Sequence, residues 1–113
     1  MYEKVLCSVR QWLIEVSNKY VNIVNFEILD DNAEILTVNI ETYNFIAQLN
    51  VSENGFKPYR YVEFYALDNK KDVTELPAYV YHDTEDDSIC DIINNLNKAM
   101  NFIIQMSDWI IIY

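Results

Sequence analysis

The sequence predicts an α+β fold: an antiparallel meander sheet of about five strands, with N-terminal and C-terminal helices packed on one face. Three observations lead there. Apolar residues recur at spacings of three and four near both ends of the chain, they alternate with polar residues through the middle, and short polar clusters separate the alternating segments. A chain of 113 residues, 51% hydrophobic and 23% charged, has the size and composition of a single α+β domain spanning 1–113.

Residues 2–20 read as the first helix, because Val5, Val9, Trp12, Leu13, Val16 and Tyr20 fall on one stripe. Glu3, Lys4, Arg10, Gln11, Glu15 and Lys19 lie largely opposite, and Trp12 is expected in the core. The period then drops to two. Val24 to Ile28 alternate as the first strand, and Asp30-Asp31-Asn32 is expected to turn the chain, since short Asx side chains bond the local backbone. Leu36, Val38 and Ile40 mark the inner face of the second strand. Tyr43, Phe45, Ala47, Leu49 and Val51 mark that of the third, up to a turn at Ser52-Glu53-Asn54-Gly55.

A fourth strand is expected at about 59–67, a polar turn at 68–72, and a short fifth strand at 78–82 after Pro77. Connections this short make neighbouring strands antiparallel, because parallel pairing needs a crossover of about a dozen residues or more. Thr84 to Asp87 supply candidate caps for the final helix, whose stripe is Ile89, Ile92, Ile93, Leu96, Met100, Ile103 and Ile104. The closing Trp109-Ile110-Ile111-Ile112-Tyr113 block reads either as more helix or as an extended tail. It would then complete the core or form a patch for a homodimer.

Composition narrows the chemistry. One glycine, Gly55, leaves no Gly-rich phosphate loop, and one histidine, His82, leaves no His-based zinc site; no catalytic or metal-ligating constellation and no cofactor motif is present. His82 beside Asp83 resembles a fragment of an acid–base pair, but reads as an edge-strand histidine. Cys7 and Cys90 are expected to be small buried hydrophobes of a cytoplasmic protein. The first residues lack the apolar core and small-residue cleavage site of a signal peptide, and no apolar run approaches about 20 residues, so neither a leader nor a transmembrane helix is expected. The formal charge of −10 opposes direct binding to nucleic acid or an anionic membrane and favours either simple solubility or a basic protein partner.

With both helices on one face, the other face of the sheet is left open. Val62, Phe64 and Ala66 share one parity and suit the core; Ala78, Val80 and His82 are placed with them. The opposite parity sends Tyr59, Tyr61, Glu63, Tyr65, Tyr79 and Tyr81 to the open side, either as a tyrosine platform for a partner or simply as β-formers on a half-buried sheet. Asp83, Glu85, Asp86 and Asp87 would add a negative rim, or else simply cap a solvated helix start.

A helix carrying Trp12, the alternating strands, the segment Tyr43-Asn44-Phe45-Ile46-Ala47-Gln48-Leu49-Asn50-Val51-Ser52-Glu53-Asn54-Gly55 and an acidic, apolar C-terminal helix form a recognisable order. Over about residues 9–104 it resembles small immunity proteins of bacterial polymorphic-toxin systems, the TriTu family most closely. Where that family has a Trp-Glu-Ser-Gly-like turn, this chain has Ser52-Glu53-Asn54-Gly55. The resemblance implies a cytosolic, non-enzymatic antitoxin that binds and neutralises a cognate toxin domain; with the charge of −10 the expected target is a basic toxin, such as a nuclease. An acidic secretion-chaperone or adaptor module, acting as a dimer, is the other function this composition suits.

Overall fold

The computed structural model describes residues 1–53, 59–68 and 76–111, with side chains described through residue 105. Its elements run α1 (Tyr2–Lys19), β1 (Asn25–Asp31), β2 (Ile35–Glu41), β3 (Phe45–Ser52), β4 (Val62–Asp68), β5 (Tyr79–His82) and α2 (Ile89–Ile111). The five strands form one antiparallel sheet in the order β1-β2-β3-β4-β5, the expected meander.

Alternation decides which face the helices cover. Leu36, Val38 and Ile40 of β2, Phe45, Ala47, Leu49 and Val51 of β3, and Val62, Phe64 and Ala66 of β4 are all buried. They join Val5, Leu6, Val9, Trp12, Leu13 and Val16 of α1 and Ile92, Leu96, Ala99, Met100, Ile103 and Ile104 of α2 in one core. Burial of a large apolar side chain contributes about 1.5–3 kcal/mol, so this one-sided layer is the main source of cohesion. The helices are also joined to each other: Trp12 Nε1–H donates to Asn97 Oδ1 at 2.8 Å.

Several boundaries differ from the sequence expectation for local reasons. Asp30 and Asp31 continue β1, and the turn falls on 32–34, where Asn32 Oδ1 accepts from the N–H groups of Glu34 and Ile35. Tyr43 is exposed and outside β3, because Thr42 closes a tight turn by exchanging hydrogen bonds with the Phe45 backbone. β4 begins at Val62, three residues later than expected. Thr84–Asp87 forms a separate turn, and the cap of α2 is Ser88. Ser88 Oγ accepts from Asp91 N–H while Asp91 Oδ2 accepts from Ser88 N–H, a reciprocal capping box. Hydrogen bonds from the Ser88 backbone and then its side chain hold the Asp91 carboxyl below its ordinary pKa.

Cys7 and Cys90 are both exposed thiols, correcting their expected burial; each stands one position off its helix's inward stripe. α2 continues through Ile111, which decides for helix at Trp109–Ile111, but the side chains of Trp109–Tyr113 lie outside the described ones. The turns expected at Asn54-Gly55 and 69–72 also fall outside the described residues.

Candidate protein-docking surface

Cross-strand register corrects the tyrosine platform. Tyr81 pairs with Phe64 and Tyr79 with Ala66, so both tyrosines share the helix-covered face. The Tyr79 ring meets Phe64 edge-on at 6.3 Å and Phe102 of α2 at 5.1 Å. Tyr81 O–H donates to Asp87 Oδ2 at 3.0 Å. Burial, that hydrogen bond and nearby carboxylates push the Tyr81 phenol far above its ordinary pKa. Tyr61 lies just before β4 and packs its ring on Tyr2 of α1 at 5.1 Å, with the Arg60 guanidinium 4.7 Å from its ring centre. Val80 and His82, expected in the core, face outward opposite Tyr65 and Glu63. Tyr81 tolerates the inner face because its hydroxyl reaches Asp87 at the rim.

The acidic run divides as well. Asp83 is only 1% exposed, and its Oδ1 accepts from the backbone N–H groups of Tyr61 and Val62, both at 2.8 Å. Its own N–H donates to the Val62 carbonyl, and its carbonyl accepts from Arg60 N–H. Asp83 therefore clamps the end of β5 to the start of β4 and is no part of a rim. Asp87 is half-buried and engaged by Tyr81 and by Thr84 N–H. Glu85 and Asp86 are exposed, as expected.

The open face carries a chain of polar side chains that crosses the sheet. Asn39 Nδ2 approaches Glu27 Oε1 at 3.5 Å, and Gln48 Nε2 donates to Asn39 Oδ1 at 2.9 Å. Gln48 Oε1 accepts from Asn50 Nδ2 at 3.0 Å and from the Tyr65 hydroxyl at 3.1 Å. Asn50 Nδ2 also donates to Glu63 Oε1 at 3.2 Å, and Glu63 Oε2 lies 3.1 Å from His82 Nε2. The Tyr59 ring stands 5.4 Å from the His82 ring. Burial, followed by the charge of Glu63, raises the phenol pKa of both Tyr59 and Tyr65, and a hydrogen bond with Ser52 partly offsets this for Tyr59.

Of the sequence candidates, then, Tyr59, Glu63 and Tyr65 come together on the open face. The residues sequence reasoning left out are Glu27, Asn39, Gln48 and Asn50, and His82, which it placed with the core, joins them. A signal was present in the shared outward parity of Asn39, Gln48 and Asn50, but contact between them depends on how β2 and β3 pair. The face is also one-signed. Glu27, Asp30, Glu41 and Glu63 point to it by register, and none of the five described strands contains a lysine or arginine. At one end of the sheet, Glu3, Glu34 and Glu53 line a cleft of about 740 Å³ with Tyr2, Ile35 and Ser52.

Among the described residues, no group of three or more His, Cys, Asp or Glu side chains is placed to hold a metal ion, and no helix is long and apolar enough to cross a membrane. The architecture is a two-layer α+β domain with one helix-covered and one open sheet face. Compared with protein-family models, with curated proteins and with solved structures, the chain shows no significant match.

Proposed function

We propose that this protein is an immunity-type inhibitor, acting in the cytoplasm, that docks a basic toxin domain on the open face of its sheet and neutralises it by occlusion. The observation that carries this reading is the one-signed face: four carboxylates and no cation on its strands, within a chain of net charge −10. A surface of one sign speeds encounter with a partner of the other and rejects like-charged competitors. The resemblance to immunity proteins supports the same reading.

The polar network adds preorganisation. Gln48, Asn50, Glu63 and Tyr65 are held by one another, so little side-chain freedom remains to be lost when a partner arrives. Tyr59 and Tyr65 offer ring surface with a polar tip, the combination favoured at binding hot spots. Exposed Ile35, Ile46 and Val80 supply apolar contact around them. Occlusion asks for about 800 Å² per partner, within reach of one face of a five-stranded sheet.

The test is coexpression with the toxin encoded next to this chain. Cells survive with the native protein, and survival is lost with Glu63→Lys combined with Tyr59→Ala in protein that keeps the native circular dichroism spectrum. The proposal is overturned if cells die as fast with the native protein as without it, or if the folded double variant protects equally well.

A further inference from the structure

β1 is an outer strand of the sheet, and six of its seven residues are exposed. An edge strand presents backbone N–H and C=O groups to whatever extended chain can lie alongside. The side chains bordering that edge differ between its two faces. Glu27 and Asp30 point to the open face, opposite Asn39 and Thr37. Phe26 and Ile28 point to the helix face, opposite Ile40 and Val38; yet Ile28 is 55% exposed where Val38 is fully buried. Leu29, at the shift of register, is exposed too.

α1 borders the same edge. Arg10 reaches Asp31 at 2.7 Å and the Asn32 carbonyl. Ile14, one helical turn beyond Arg10 on the same flank, is 55% exposed. Exposed Ile14, Ile28 and Leu29 thus stand on the two elements that meet at this edge, and the open-face side chains of the strand, Glu27 and Asp30, are carboxylates.

A second copy of this chain is a poor occupant. Pairing two β1 strands would bring Glu27 and Asp30 of each copy together, and like charges facing across strands are destabilising. The shift of register at Leu29 and the acidic side chains discourage self-pairing in the way edge strands commonly do. An extended basic chain meets the opposite situation. We infer that β1 is a docking edge for an extended basic segment, with Lys or Arg facing Glu27 and Asp30 and alternate aliphatic residues facing Ile28 and Ile14. Main-chain hydrogen bonds supply affinity in such strand addition, and alternate side chains supply specificity. The inference goes beyond occlusion by the open face, because it concerns the backbone of one edge and holds whatever the partner's activity.

The experiment uses the full chain and synthetic peptides of about eight residues, an ordinary strand length. One alternates Lys and Val, a second carries Pro at its central Val, and a third alternates Glu and Val. Binding is followed by titration and by amide hydrogen exchange. The Lys/Val peptide slows exchange within 25–31, binds at least about tenfold tighter than the proline peptide, and weakens with salt. The Glu27→Lys/Asp30→Lys variant reverses the preference, taking the Glu/Val peptide instead.

No binding, equal affinity for the proline peptide, protection centred on β5 instead of β1, or an unchanged preference in the folded variant would each overturn the inference. No toxin enters these measurements, so their failure leaves the coexpression test standing, and the converse also holds.

Discussion

Removing the Asp83 carboxylate is the sharpest test of how β4 and β5 are joined. In Asp83→Ala the backbone N–H groups of Tyr61 and Val62 lose their common acceptor. A buried donor left unsatisfied costs about 1–3 kcal/mol. The Val62 N–H is buried and incurs most of that cost, while the Tyr61 N–H is half-buried and recovers part of it from water. The sum is about 2–4 kcal/mol. For a domain between the small and medium size classes this lowers Tm by roughly 6–20 °C. Asp83→Asn, which keeps one carbonyl oxygen for the two donors, loses about half as much. Urea and thermal unfolding, followed by circular dichroism, read both variants. Glu85→Ala with Asp86→Ala is the control, since exposed substitutions usually stay within about 0.5 kcal/mol. If Asp83→Ala unfolds no more easily than that control, Asp83 is a rim acid after all and the clamp is refuted.

Alkaline pH tests the buried phenols. Tyr2, Tyr59, Tyr65 and Tyr81 all have raised pKa values, with burial the first cause in each case. Tyrosine in the unfolded chain ionises near pH ~10, so stability from these groups is complete below that pH and is lost as pH rises through the folded values. Phenolate absorbance should show part of the nine tyrosines titrating only together with unfolding, and Tyr81→Phe should reduce that late fraction. Trp12→Phe removes the bond to Asn97 and part of a buried ring, so the hydrogen-bond share of its cost, about 1 kcal/mol in urea unfolding, should be absent in an Asn97→Ala background while the packing share remains. Cys7 and Cys90 should both react with a thiol reagent in native protein; reaction only after denaturation would contradict their exposure.

Periodicity along the chain was enough to define the elements. The three-and-four spacing of Val5, Val9, Trp12 and Val16, and of Ile92, Leu96, Met100 and Ile103, can bury one stripe only as a helix. The alternation through Leu36–Ile40 and Phe45–Val51 can bury one face only as a strand. Short connections between strands then left the meander as the simplest topology, and one-sided burial followed from two stripes and one inner face. The acid-only character of the strands is likewise a property of the sequence.

What tertiary structure alone decided is which way β5 faces and what the open side is made of. In a four-residue strand, Tyr79 and Tyr81 compete with Val80 and His82 for the inner face, and both sets are part apolar and part polar. Side-chain period two cannot choose between such sets. The choice is made outside the strand: Asp83 ties its end to Tyr61 and Val62, Ala78 N–H donates to the Ala66 carbonyl at its start, and Phe102 and Asp87 receive the two tyrosines. The network from Glu27 to His82 has the same origin, because its members lie on five different strands and meet only when the register of every pair is set.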